Sequence, residues 1–104
     1  MKKYRVMMES TAVRDLYGIL EYITDVLMQP ETAKRIFYSI EEKITTLESM
    51  PARHNTVREE PYKTLGVRML PVENYVAFYT VEEARREVRV IRILYNKREW
   101  KNLL

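Results

Sequence analysis

The sequence predicts an α+β fold in the order β-α-α-β-β-β: an antiparallel sheet with a helical hairpin packed on one face, in a single domain spanning residues 1 to 104. Three observations carry this prediction. Apolar residues recur at helical spacing between Ala12 and Leu47. They alternate, or run on continuously, in short stretches before and after that region. No strand-helix-strand alternation or internal repeat is present, so the helices and the late strands form separate layers. A chain of 104 residues fits one hydrophobic core.

Residues Tyr4 to Glu9 place Tyr4, Val6 and Met8 on one side and Arg5, Met7 and Glu9 on the other, a half-buried first strand. Ser10 then suits the start of a helix, with Asp15 close to the positive end of its dipole. Leu16, Ile19, Leu20, Ile23, Val26 and Leu27 form one stripe, which sets helix 1 at 11 to 28. Tyr17, Tyr22 and Tyr38 flank the helical stripes and are expected to cap the core with their rings. Pro30 stops the first helix and opens the second, because its missing N–H is free in a first turn anyway. Ala33, Ile36, Phe37, Ile40, Ile44 and Leu47 continue helix 2 over 30 to 49, and Met50 and Pro51 end it. A connection this short turns the helices into an antiparallel hairpin.

Residues 52 to 65 have no period and read as a surface connection. Strands follow at Gly66 to Val72, Asn74 to Val81 and Glu87 to Tyr95, the last two joined by the polar turn Glu82 to Arg86. Val90, Ile91, Ile93 and Leu94 are apolar toward both faces, which marks the last strand as central. The face opposite the hairpin is expected to stay open, with Tyr75, Tyr79 and Tyr95 available to it.

Composition excludes several classes of function. There is no cysteine, only one histidine and only two glycines, so thiolate metal sites and glycine-rich phosphate loops are out, and no metal or cofactor is expected. The serines lie at helix starts or on helices, without a positioned base. Apolar runs are far shorter than the roughly 20 residues that span a bilayer, so no membrane partner is expected and a cytoplasmic location is the simplest. The net charge of +3 is uneven: residues 1 to 51 carry seven basic and eight acidic side chains, the remainder eleven and seven. A basic surplus of this kind attracts polyanions and acidic segments alike.

His54, in the connection, is expected to be exposed and able to act as an acid or base near neutral pH. Arg68 on the first late strand and Arg98 just after the last would converge with the Tyr95 phenol if those strands are neighbours. That would make a phosphate-binding corner, because guanidinium forks match phosphate oxygens; pairing with a carboxylate such as Glu99 is the competing reading. Arg92, Lys97 and Lys101 extend the basic surface and are candidates for contact with a target.

The segments DLYGILEYI, PETAKRI and TLESMP in the helices, then GVRML, NYVAFYTV and VRVIRILYNKREW in the sheet, keep an order and spacing that resembles the RelE/ParE superfamily of toxins from bacterial type II toxin–antitoxin systems. The resemblance covers nearly the whole chain, and the hairpin is closer to the ParE branch. It implies a cytoplasmic toxin that arrests growth and is neutralised, in a hetero-oligomer, by an antitoxin that lays a helix or an added strand across it. ParE relatives poison DNA gyrase; RelE relatives cut mRNA on the ribosome. The ParE-like activity is slightly favoured, with the ribonuclease as the alternative and an inactive antitoxin-binding module as a further one. For the ribonuclease, the resemblance implies Arg68 and Arg98 at the phosphate and Tyr95 as acid or base, without metal. Leu70 and Val76 stand where further basic residues would be needed, and neither donates to a phosphate. Trp100, Leu103 and Leu104 are expected to fold back over the edge of the core.

Overall fold

The structure is a computed structural model and describes residues 3 to 96 and 104. Strand β1 (Arg5–Met8) leads directly into helix α1 (Ser10–Glu21), which ends in a π-helical turn (Tyr22–Val26). Helix α2 (Pro30–Thr45) tightens into a 3₁₀ turn at Thr46–Glu48, and a second 3₁₀ turn covers Pro51–Arg53. Strands β2 (Arg68–Val72), β3 (Tyr75–Glu82) and β4 (Glu87–Tyr95) complete a four-stranded sheet in the order β1-β4-β3-β2.

The α+β class and the order of elements match the sequence reading, as does the central place of β4. The sheet is mixed, however, not wholly antiparallel: β2, β3 and β4 form an antiparallel meander, whereas β1 lies parallel to β4, with Arg5 opposite Glu87 and Met8 opposite Val90. The direction of β1 against β4 depends on which end of the sheet the chain reaches after α2. The aperiodic connection that decides this carries no directional signal. Helix α1 also starts one residue early, with Glu9 at its N-cap, so Ser10 lies inside the helix and no side chain caps it.

At Phe78/Tyr79 the pairing slips: Phe78 faces Arg92 and Tyr79 faces Val90, which leaves Ile91 as an extra residue on β4. β1 ends at the same level. Beyond it, α1 runs along the vacant edge of β4 and satisfies its backbone. The Thr11 hydroxyl donates to the Ile91 carbonyl at 2.6 Å, and the Ile93 N–H donates to Asp15 Oδ2 at 3.0 Å. Thr11 and Asp15 are four residues apart, so one face of the helix presents both groups.

Apolar residues pack on both sides of the sheet. Under the hairpin, Ala12, Leu16, Ile36, Ile40, Ile44 and Leu47 meet Leu70, Ala77, Tyr79, Val90 and Ile93. On the opposite face Val57, Val67, Phe78 and Leu94 form a smaller cluster flanked by Tyr62, Met69 and Leu104. The expected open face is thus covered in part by the connection, which is tied down by backbone bonds from Val57 to Val67 (2.7 Å) and from Met69 to Asn55 (2.9 Å) and by a bridge between Thr56 and Arg68. Leu104 folds back as expected; Trp100 and Leu103 lie outside the described residues.

The tyrosines differ from expectation in two ways. Tyr17, Tyr22 and Tyr38 are largely exposed and do not cap the core. Tyr79 and Tyr75 pack with the helical side of the sheet, and Tyr95 leans on Tyr75. Around the hairpin turn Val26, Leu27 and Met28 are also exposed, Met28 at 76%. The π-helical turn widens the helix by one residue per turn, which rotates the chain past Ile23 out of step with the buried stripe.

Candidate functional site

The sequence-predicted groups fall in two separate places. β3 lies between β2 and β4, so Arg68 and Tyr95 are not on neighbouring strands. Arg68 sits opposite Tyr79, whereas Tyr95 sits opposite Tyr75, four residues earlier on β3. That is roughly 13 Å of strand, and it keeps the guanidinium and the phenol apart. The convergent corner expected from these two residues does not form. Lys97, Arg98 and Lys101 lie outside the described residues.

The first place surrounds Arg68. Its Nη1 donates to the His54 carbonyl at 2.7 Å, which fastens the start of the connection to the sheet. His54 is half-buried rather than exposed, its ring edge-on to Tyr79 with centroids 6.3 Å apart. Its Nε2 is buried and has no hydrogen-bond partner among the described residues. Burial, reinforced by Arg53, Lys43 and Arg68, holds the imidazole below its ordinary pKa. The Tyr79 hydroxyl donates to the Pro51 carbonyl at 2.6 Å, and burial pushes the phenol up to about 12. Arg53 points at main-chain carbonyls as well, reaching Ser49 at 2.5 Å and Met50 at 3.0 Å. Both arginines therefore hold backbone, a use of guanidinium that stabilises the loop.

The second place is a cleft of about 720 Å³ between α1, the start of α2, the β2–β3 turn and the end of β4. Its floor is apolar, with Ile19, Ile23, Ile36 and Ile93, and Tyr22, Tyr75 and Tyr95 stand around it. Tyr75 and Tyr95 meet edge-on at 5.7 Å, and burial raises the Tyr75 phenol above its ordinary value. Ion pairs stand on two walls. Arg92 engages Asp15 through Nε at 2.7 Å and Nη2 at 3.0 Å. Arg35 grips both oxygens of Glu73 at 2.8 Å, which holds that carboxyl below the usual range. Arg92, a candidate for target contact, is thus engaged within the fold. Arg14 also lines the cleft; among the described residues it makes no hydrogen bond or ion pair.

Sequence reading did not find this cleft, because it brings the helical hairpin together with the β2–β3 turn and the end of β4, which lie far from it in the chain. One local signal was present. Gly18 interrupts an otherwise good helix, and it lines the cleft. Among the described residues no three His, Cys, Asp or Glu side chains gather to hold a metal ion, and no helix is long and apolar enough to cross a membrane.

Comparison with known proteins agrees with this architecture. The chain is similar to a toxin–antitoxin protein of the chromosomal ParDE system from P. aeruginosa, with 25% identity and a TM-score of 0.72 over 89% of this chain and 96% of that one. It shares its fold with a chain of the RelBE2 complex from Mycobacterium tuberculosis (21% identity, TM-score 0.64, covering 91% and 93%). The same holds for the archaeal RelE–RelB complex from Pyrococcus horikoshii OT3 (14%, 0.56, covering 92% and 98%). No curated protein matches the chain. Residues 6–100 match the family model described as "ParE toxin of type II toxin-antitoxin system, parDE". With 89% of its length aligned on a ParDE chain and that model spanning both helices and all of β2 to β4, this protein belongs to the ParE toxin family.

Proposed function

We propose that this toxin arrests growth by inhibiting DNA gyrase, in the cytoplasm, and that a cognate antitoxin silences it within a hetero-oligomeric complex. The observation that carries the choice of target is the separation of Arg68 from Tyr95 across β3. Cleavage of RNA without a metal needs donors aimed at one phosphate and an acid or base beside it. Here Arg68 is turned onto a main-chain carbonyl, and Arg92 is held by Asp15. Leu70, where a further basic residue would be needed, is buried at 2% exposure. Val76, the other such position, packs against the smaller cluster. An inhibitor that works by binding has no such requirement, and the exposed Tyr17, Tyr22, Val26, Leu27 and Met28 supply apolar surface for macromolecular contact. Antitoxin binding is supported by the nature of the similar structures, which include toxin–antitoxin complexes.

The test is induction of the toxin from a tight promoter, with cleaved gyrase–DNA complexes and mRNA 5′ ends mapped in parallel. Trapped gyrase–DNA breaks with intact messages are expected. New message ends at ribosomal A sites with undisturbed DNA would replace the gyrase reading with the ribonuclease one.

A further inference from the structure

On the flank of the hairpin away from the cleft, α1 and α2 enclose a shallow groove of about 430 Å³. Leu20, Ala33 and Phe37 form its floor and pack through to the core beneath. Tyr38 stands on the rim, 62% exposed, with its ring edge-on to Phe37 at 5.5 Å between centroids. A tyrosine so placed leaves a large apolar ring in water, and with only two side-chain torsions it loses little freedom when a contact orders it. The groove shares no described residue with the cleft. Along α2 the charges beside Tyr38 run from positive to negative. Lys34 lies four positions before Tyr38 and Glu42 four positions after it, on one face of the helix, and all three are exposed. Each charge sits about 6 Å along the axis from Tyr38. The adjacent positions repeat the pattern, with Arg35 three before and Glu41 three after, although Arg35 is turned to Glu73.

We infer that this outer face of the hairpin is a homodimer interface, in which Tyr38 of each copy enters the groove of the other and Lys34 of each pairs with Glu42 of the other. The order of charge selects the occupant. A second copy laid parallel to the first would set Lys34 against Lys34 and Glu42 against Glu42. Laid antiparallel, on a two-fold axis through Tyr38, it sets unlike charges together at both ends of the contact, and such a self-complementary patch is what a two-fold dimer requires. Exposed ion pairs contribute little attraction each, so these fix the direction of pairing while Tyr38 and the apolar floor supply the adhesion. The inference is independent of the choice of target. It also leaves the cleft outside the contact, so a dimer presents two of them.

The test is sedimentation velocity of the purified full-length toxin across a concentration series, with far-UV circular dichroism as the check on folding. The wild type should sediment as a dimer at the upper concentrations and dissociate on dilution. Lys34→Glu alone and Glu42→Lys alone each bring like charges together across the axis, and each should weaken self-association at least tenfold while the fold is kept, since both residues are exposed and both replacements are good helix formers. Mixing these two variants should restore a dimer, because one then carries only acidic and the other only basic side chains at the paired positions. Tyr38→Ala should weaken association at least tenfold. A wild type that stays monomeric at every concentration overturns the inference, and if Tyr38→Ala then also loses inhibition of purified gyrase, the face belongs to the target instead. A dimer indifferent to these substitutions, or a mixture of the two charge variants that stays monomeric, overturns it too.

Discussion

The two faces of the sheet are covered by different kinds of structure. On one side two helices lay a continuous apolar stripe across β2, β3 and β4. On the other, a mostly irregular segment holds down a smaller cluster, which among the described residues has four buried side chains, Val57, Val67, Phe78 and Leu94. The helical face is stabilised chiefly by burial. The connection that reaches the other face depends to a greater degree on individual polar contacts at its start: Arg68 to the His54 carbonyl, Tyr79, whose ring packs on the helical side, to the Pro51 carbonyl, and the bridge between Thr56 and Arg68. Regular structure satisfies its own backbone, whereas a loop must borrow partners one at a time.

The largest test of this contrast is a pair of cavity mutations. Phe78→Ala and Ile40→Ala each remove a side chain with almost no exposure, and should cost about 4 and about 3 kcal/mol in denaturant melts. Their local effects should differ. Hydrogen exchange at the Val57 and Met69 amides should speed up selectively in Phe78→Ala, while Ile40→Ala should loosen the hairpin. Equal loosening everywhere in both variants would erase the distinction between the faces.

Next in size is Asp15→Ala, which leaves the Ile93 N–H and the Arg92 guanidinium without their shared acceptor in a partly buried place. A loss of about 2 kcal/mol is expected, and Asp15→Asn should recover part of it. If Asp15→Ala melts with the wild type, α1 is not needed to close the edge of β4.

A pH titration separates the start of the connection from the ion-paired elements. The folded state holds His54 below its ordinary value of 6.5, so the unfolded chain takes up the proton more readily. Stability is full above pH 6.5 and falls as pH drops from there through the lower folded value. The carboxylates held by partners, Glu73 on the helical side and Glu87 beside Arg5, are depressed below 4.5 and keep their contribution until the solution is more acidic than that. Mild acid should therefore loosen the start of the connection, around His54, first. His54→Phe, which keeps a ring and removes the titrating group, should flatten stability just below pH 6.5 and leave the steeper loss at lower pH in place.

The smallest expected effect has the opposite sign. Met50 has a left-handed φ of 47° between the two 3₁₀ turns and is exposed. Met50→Gly should stabilise the protein by about 1 kcal/mol. A melting temperature unchanged or lowered would show that the Met50 side chain contributes more than its strain costs.

The helical face was legible because its signal is local: Leu16, Ile23, Ile36, Ile40 and Ile44 repeat at one period, and Pro30 marks the corner. The strands were legible for the same reason, to within a residue or two. What the sequence concealed depends on long-range placement. Nothing in ARHNTVREE announces that Val57 is fully buried, and nothing near Arg5 says whether its strand will lie parallel to Glu87. The site divided in the same way. Arg68 and Tyr95 were the right residue types for a phosphate corner, but adjacency of their strands was an assumption, and the intervening β3 undoes it. Ser10 looked like a cap and Asp15 like a dipole partner, whereas Asp15 is instead spent on the edge of β4.

The parallel pairing of β1 with β4 also sets an order of events in time. Arg5 and Glu87 are 82 positions apart, so β1 must wait until β4 is made before it has a neighbour. β4, one of the two strands with partners on both sides, is also the latest of the four to be made. Contacts this distant slow folding, because the chain must close a long loop before they form. Until then, the hairpin carries its apolar stripe uncovered. The interval between synthesis and a finished sheet is a period in which exposed apolar surface leaves the protein open to proteolysis and aggregation.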